Sequence, residues 1–352
     1  MEVRAAVVNG PKDKFAFETL KLREPLDDEV LVKIACTGLC GCDLHYMHAK
    51  DQEYPIVMGH EGAGIIEKLG KSVKNFKVGD HVIIATNNCG KCHACKDGRL
   101  WDCEHCFDYW LGKQFDRTTP LTTKDGKPVK TFSCHATFAD HCVVRACTLV
   151  RVDPDVDLRH VCFLGCCPIT GAGGVLNYFK AQAGQSIAII GMGTVGLTGI
   201  MAAKIAGLKS IIAIDRHPEK LQLAQKFGAT IIINPSEDKE LASLADFVKN
   251  KGQIDYCEDT TGNKDLVAKV DKHLSDKTKR YDITGDLSND KWPFAAIGDS
   301  NKDVFIPEMV QYYREGKFPL NEFLTYYKFD DINKAYDDLV GKKAIRPIIT
   351  FD

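Results

Sequence analysis

An apolar run at residues 186–190 leads directly into Gly191-x-Gly193-x-x-Gly196, and a long apolar helical stretch follows at 195–206. No other feature restricts the fold as tightly. A strand that is apolar at every position needs cover on both faces, which a parallel sheet flanked by helices supplies. In that setting the first glycine allows a tight turn, the second lets backbone approach a pyrophosphate, and the third permits close packing of helix on sheet. The helix N-terminus, with Thr194 and Val195 in its first turn, presents its positive dipole end to the phosphates. These residues predict a dinucleotide site.

The same texture continues on both sides. Strand-like segments at 210–214, 230–233 and 254–258 alternate with helical ones at 219–227 and 241–249, and a helical stretch at 171–179 precedes the glycine turn. Asp215 ends the second strand, nineteen residues after Gly196, where a carboxylate accepts from both ribose hydroxyls and repels a 2′-phosphate. NAD is therefore favoured over NADP. Arg216, directly after it, weakens that preference a little, because guanidinium groups bind phosphate well.

Residues before about 154 read differently. Short β-branched runs at 4–8, 30–36, 64–69, 81–85 and 137–144 alternate with Gly and Asp turns, which predicts a β-rich, barrel-like domain. Helices at 304–314 and 331–339 and a strand at 345–351 close the chain, and the last strand is read as returning to the first domain. A length of 352 residues suits two domains.

Charge excludes some partners. The 46 basic and 48 acidic residues nearly cancel, so no global field draws the chain to nucleic acid or an anionic membrane, and small molecules are the expected partners. No apolar run approaches the roughly 20 residues of a bilayer span, and the N-terminal residues resemble a strand rather than a targeting segment. A cytoplasmic protein is expected. In that reducing setting, clustered cysteines among the fifteen point to metal, while scattered ones such as Cys142, Cys147 and Cys257 are core fillers or half-exposed thiols.

The cluster is Cys89-x2-Cys92-x2-Cys95-x7-Cys103. Four thiolates suit a closed tetrahedral Zn2+ that holds a loop and leaves no position open for chemistry, although an iron-sulfur cluster takes the same ligands. A second set is dispersed: Cys40 after a strand, His60 followed by Glu61, and Cys166 beside Cys167. Spacing alone does not assemble it.

With these residues in view, the chain resembles the zinc-containing alcohol dehydrogenases of the medium-chain dehydrogenase/reductase superfamily over nearly its whole length. The motifs are Thr37-Gly38-Leu39-Cys40, Gly59-His60-Glu61-Gly62-Ala63-Gly64, Val78-Gly79-Asp80, the four-cysteine loop, Gly165-Cys166 with Thr170-Gly171, and the glycine fingerprint. Asp125-Gly126-Lys127-Pro128 before Ala136-Thr137-Phe138-Ala139, and Gly298-Asp299-Ser300 before Val304-Phe305-Ile306-Pro307, resemble the aryl-alcohol (benzyl alcohol) branch. The resemblance implies an α/β chain with a GroES-like β-rich catalytic domain (1–167 and 298–352) and a Rossmann doubly wound parallel-sheet coenzyme domain (168–297). It also implies two zinc ions and NAD, with catalytic zinc on Cys40, His60 and Cys166 and structural zinc on Cys89, Cys92, Cys95 and Cys103. By the same resemblance Asp43 orients His60, Glu61 lies behind the metal, Thr170 faces the nicotinamide, Lys220 the adenosine ribose and Arg346 the pyrophosphate.

The implied reaction is hydride transfer between a primary aryl or allylic alcohol and NAD, with zinc lowering the pKa of the alcohol and the protein positioning the two reactants. A polyol or secondary-alcohol dehydrogenase, or a catalytically impaired NAD- and zinc-binding relative, are the alternatives. Two departures motivate the latter. Relatives place Ser or Thr two positions after the first zinc cysteine as a proton relay; here Cys42 stands there, with His45 matching the relay's terminal histidine. Either the thiol donates, or water substitutes, or turnover is slow. The segment between Gly262 and Gly298 is short and polar, with 281–285 its best strand, and this puts homo-oligomerisation through that edge and the shape of the nicotinamide pocket in doubt.

Overall fold

The computed structural model describes residues 1–50, 52–114, 117–238, 240–285 and 290–351. Two compact units emerge: Met1–Cys166 with Asn301–Val310 and Leu320–Asp352, and Cys167–Ser300 with Gln311–Pro319. Relative to the division expected from sequence, Cys167, residues 298–300 and Gln311–Pro319 lie with the second unit. Residues 298–300 pack there because Gly298 donates its N–H to the Tyr281 hydroxyl (3.1 Å) and the Ser300 hydroxyl is bonded by Asn177 (2.8 Å).

The first unit is built from a five-stranded closed barrel and a seven-stranded sheet. Glu2–Val8, Ala16–Leu22, Leu121–Thr122, Pro128–Thr131 and Ile56–Val57 close the barrel. In the sheet the ten-residue strand Glu29–Gly38 pairs along its length with Glu61–Leu69, while its other edge is shared by His141–Arg145 and Arg346–Thr350. The C-terminal strand thus enters this sheet, antiparallel to Glu29–Gly38 and parallel to Leu324–Lys328. Register sets the functional geometry: Gly38 stands opposite both Glu61 and Ile348, so the strand ends leading to Cys40, His60 and Arg346 converge.

Sequence and structure differ locally. The strand expected at 137–144 begins only at His141, because residues 137–139 bond elsewhere: the Phe138 carbonyl accepts from the Ala6 N–H and Ala139 makes an isolated bridge with Ala5, just after left-handed Ser133 (φ 55°), Cys134 (φ 60°) and Ala136 (φ 55°). Beyond them, Thr137 and Phe138 instead donate to the carbonyls of Gly59 (3.1 Å) and Met58 (3.1 Å), fixing the chain beside His60. Strands Ala16–Leu22 and Leu324–Lys328 have no counterpart in the sequence pattern; both mix exposed polar with buried positions and carry no long apolar run.

The second unit is a five-stranded parallel sheet in the order Ile231–Ile233, Ser210–Ile214, Ser186–Ile190, Tyr256–Asp259, Lys279–Asp282. Ser186–Ile190 is buried at every position, as an apolar central strand requires. The edge strand starts two residues before the expected 281, at Lys279. Its charge is accommodated: Arg280 binds the Asp271 carboxylate (2.7 Å) and donates to the carbonyl of Thr278 (2.6 Å). Among the described residues no single helix is long and apolar enough to cross a membrane.

Gly191 has φ 92°, and a Cβ on Gly196 would lie 1.8 Å from the Gly191 carbonyl oxygen. Open space surrounds a Cβ position at Gly193. The three glycines therefore serve turn, backbone access and packing in turn. Gly196→Val is expected to destabilise the second unit by about 1–3 kcal/mol and to weaken dinucleotide binding, read by thermal denaturation and NADH titration; unchanged melting and affinity contradict this packing.

Candidate zinc centres and cofactor site

Cys40 caps the short helix Gly41–Tyr46, and Asp43 sits in its first turn. The Asp43 side chain is wholly buried and accepts from the Cys40 N–H (2.9 Å), the Gly59 N–H (3.0 Å) and His60 Nδ1 (3.1 Å). A carboxylate holding Nδ1–H fixes the tautomer and leaves Nε2 as the donor atom for a metal. Burial pushes the His60 pKa down, but the Asp43 charge and hydrogen bond, together with the Cys40 and Cys42 side chains, outweigh it and raise it. His60 Nε2 lies 3.3 Å from Cys166 Sγ. Sulfurs of Cys40, Cys42 and Cys166 and a ring nitrogen of His60 all fall within 4.8 Å of one another. This donor set fits Zn2+.

Behind the cluster, Glu61 and Arg346 form a buried ion pair (2.6 Å), and Arg346 also donates to the Leu39 carbonyl (3.3 Å). The other Glu61 oxygen is buried without a hydrogen-bond partner, and burial raises its pKa to about 7 despite the guanidinium. Gly38 makes the pair possible, since a Cβ there would lie 2.3 Å from Glu61 Oε2. A hydrogen bond from Cys166 lowers the Cys42 pKa, but the Cys40 sulfur and burial outweigh it and raise it to about 11. His45 is exposed and meets Tyr46 edge-on at 4.9 Å.

No motif signals the ring cluster around His60. Trp110 and Phe132 meet its imidazole edge-on, with centroids at 4.8 and 5.3 Å, and Tyr46 tilts against Phe132 at 5.5 Å. His135 belongs to no motif either; both its ring nitrogens are buried without a hydrogen bond, and burial with His60 nearby lowers its pKa to about 3. It is a neutral imidazole.

Cys89, Cys92, Cys95 and Cys103 likewise bring their sulfurs within 4.8 Å of one another. Backbone amides aim at these sulfurs: Cys92 N and Lys91 N at Cys89, Cys95 N at Cys92, and Cys89 N at Cys103, at 3.3–3.5 Å. Such donors stabilise thiolate, and they lower the Cys92 pKa to about 6, whereas burial raises that of Cys103. A tetrathiolate set with donated amides fits a closed Zn2+ site.

In the second unit Asp215 accepts from Met192 N–H (2.7 Å) and His217 N–H (2.8 Å), which holds it against the glycine turn. Arg216 is exposed, Lys220 is half-buried in the first turn of Pro218–Phe227, and Thr170 is half-buried in Cys167–Gly173. Thr194, buried, opens the helix Thr194–Ile205, with Val195 half-buried beside it.

Comparison with known proteins agrees with this architecture. Residues 26–154 match the alcohol dehydrogenase GroES-like domain, and residues 194–279 match the zinc-binding dehydrogenase domain. S-(hydroxymethyl)glutathione dehydrogenase of Escherichia coli O6:H1 is 32% identical over 376 aligned positions, with 100% of both chains covered. Benzyl alcohol dehydrogenase from Acinetobacter calcoaceticus superposes with a TM-score of 0.93 at 31% identity, covering 100% of each chain. An alcohol dehydrogenase zinc-binding domain protein from Burkholderia ambifaria gives a TM-score of 0.94 at 31% identity, covering 100% of this chain and 99% of that one. The fold and site define a zinc-binding dehydrogenase with a GroES-like and a Rossmann unit. The chain belongs to the zinc-containing alcohol dehydrogenases of the medium-chain dehydrogenase/reductase superfamily: it is an oxidoreductase of small-molecule alcohols and aldehydes, with zinc and a nicotinamide dinucleotide as cofactors.

Asp43→Asn keeps the shape of the side chain but removes the charge that orients His60. It is expected to weaken metal binding at this centre about 10- to 100-fold, measured by competition with a chromophoric chelator, while the zinc of the four-cysteine loop stays bound. Equal affinity in the variant argues against this role for Asp43.

Proposed function

We propose that this protein oxidises primary aryl or allylic alcohols reversibly to aldehydes with NAD. The observation that carries the proposal is the aromatic cluster beside the cysteine-histidine centre. Trp110 and the buried Phe132 stand 5.2 Å apart, both against His60, and give that side of the centre an aromatic, apolar wall that suits a flat apolar substrate. A polyol has further hydroxyls, and burying them unpaired against rings is unfavourable, so the secondary-alcohol and polyol reading is the weaker one.

Zinc, when bound, supplies a Lewis acid for the substrate oxygen. Cys40, His60 and Cys166 hold it, and Asp43 keeps the His60 ring in the tautomer that presents Nε2. The rings of Trp110 and Phe132 exclude water from that side of the imidazole. Thr170 is read as the nicotinamide contact and Lys220 as a ribose contact. Arg346, fixed by Glu61, is read as the pyrophosphate contact. The chemistry requires alcohol and nicotinamide to be held in register.

NAD is favoured because Asp215, held by two backbone amides beside Gly191, sets a fixed negative charge where a 2′-phosphate would add another. The full zinc-ligand set argues against an impaired relative, which has little need of such a centre.

Rates of NADH formation with benzyl, cinnamyl, short aliphatic and polyol alcohols test the proposal, with S-(hydroxymethyl)glutathione included because a relative carries that name. Benzylic and allylic alcohols are expected to give the highest kcat/KM, with NAD preferred over NADP by about tenfold or more, a difference of about 1.4 kcal/mol. Trp110→Ala is expected to lower kcat/KM for benzyl alcohol about 10- to 100-fold while changing that for ethanol less. Polyols as the best substrates, or an equal loss for ethanol, would sink the aryl-alcohol reading.

A further inference from the structure

Cys42 is one of the four residues whose donor atoms gather at the dispersed centre, and a cysteine sulfur is a metal ligand in its own right. It is the second residue of the helix that Cys40 caps, and Asp43 pins the start of that helix by accepting from the Cys40 N–H at 2.9 Å. The same carboxylate fixes the His60 ring, so one buried group sets the positions of Cys40, Cys42 and His60 together. In the resulting arrangement the Cys42 sulfur joins those of Cys40 and Cys166 and a ring nitrogen of His60, the four donor atoms all lying within 4.8 Å of one another.

The His60–Cys166 separation is that of a tetrahedral zinc site. Zinc bond lengths of about 2.0–2.3 Å place neighbouring donors about 3.3–3.8 Å apart, and His60 Nε2 stands 3.3 Å from Cys166 Sγ. The four-cysteine loop gives an internal standard, with its Cys89 and Cys95 sulfurs 3.9 Å apart and its whole set inside the same 4.8 Å limit.

Chemistry separates Cys42 from the hydroxyl residue of relatives. A serine or threonine hydroxyl stays protonated and binds zinc poorly, whereas a thiol next to a dication is deprotonated outright and forms a strong bond. Three thiolates and one imidazole make a recurring closed zinc site. A water molecule competing for the fourth position faces a tethered thiolate.

We propose that in the resting holoprotein the Cys42 thiolate is the fourth ligand of the zinc held by Cys40, His60 and Cys166, which makes this centre a closed Cys3His site that an alcohol can enter only by displacing Cys42. Entry of an alcohol rests on the alcohol-oxidation reading; the ligand set does not. Cys42 is then a gate on the metal rather than a passive relay to His45, and three thiolates in place of two make the metal a weaker Lewis acid.

Zinc K-edge X-ray absorption on the fully loaded protein tests the assignment, with zinc content measured on the same samples. In the wild type, sulfur should account for about seven of the eight ligands of the two zincs, four from the loop and three from this centre. Cys42→Ser should lose one sulfur and gain one oxygen at unchanged zinc content. Alkylation supplies an independent readout without a variant: in loaded wild-type protein, iodoacetamide should modify Cys42 much more slowly than after chelation of this centre, as scored by peptide mass. Two zincs per chain with about six sulfurs, unchanged in Cys42→Ser, or rapid alkylation of Cys42 in the loaded protein, overturns the assignment and leaves the alcohol reading intact. Zinc at the four-cysteine loop alone overturns both.

Discussion

The Asp43 carboxylate is the constraint on which the cysteine-histidine centre of the first unit depends. It is fully buried and accepts three hydrogen bonds, from the backbone at Cys40 and Gly59 and from the His60 ring. A buried charge is tolerable only when its lone pairs are satisfied, and here the satisfaction is also the positioning. The helix carrying Cys40 and Cys42 is thereby locked to the turn carrying His60. Cys166, fed in by the short helical turn Cys162–Gly165, completes the group.

A second buried charge system lies behind the first. The Glu61–Arg346 pair joins the start of one strand to the start of the C-terminal strand, and the register through Gly38 brings both strands to that point. Burial raises Glu61 to about 7 in spite of its cationic partner, so desolvation is the larger effect and Coulomb attraction the smaller. Removing either partner would leave an uncompensated group in the interior. The C-terminal strand is therefore part of the centre's foundation.

Around this polar frame the packing is aromatic and strained. Left-handed residues at Ser133, Cys134 and Ala136 turn the chain so that Phe132 meets His60 on one side and His135 is buried nearby without a hydrogen bond. Such backbone persists only where surrounding structure over-determines it, and here the amides of Thr137 and Phe138 anchor it to Gly59 and Met58. The four-cysteine loop is held in another way, by amides aimed at sulfur. One centre is organised by a carboxylate and rings, the other by backbone alone.

Much of this protein is legible in local chemistry alone. Gly191, Gly193 and Gly196 between an apolar strand and a helix dictate a dinucleotide turn because each answers a steric demand within a few residues, and four cysteines inside fifteen positions reach one ion through a single short loop. The dispersed centre is another matter: only family resemblance groups Cys40, His60 and Cys166 from sequence, since nothing in their spacing makes them neighbours. Sheet register and the buried Asp43 bring them together, and tertiary structure also decides two things no motif carries. Trp110 and Phe132 reach His60 from separate segments, and Cys42 lies with the metal-binding atoms rather than beside them in sequence only. Sequence by itself determines which atoms are available to bind a metal; long-range pairing decides which of them meet, because strand register and buried hydrogen bonds depend on residues far apart in the chain.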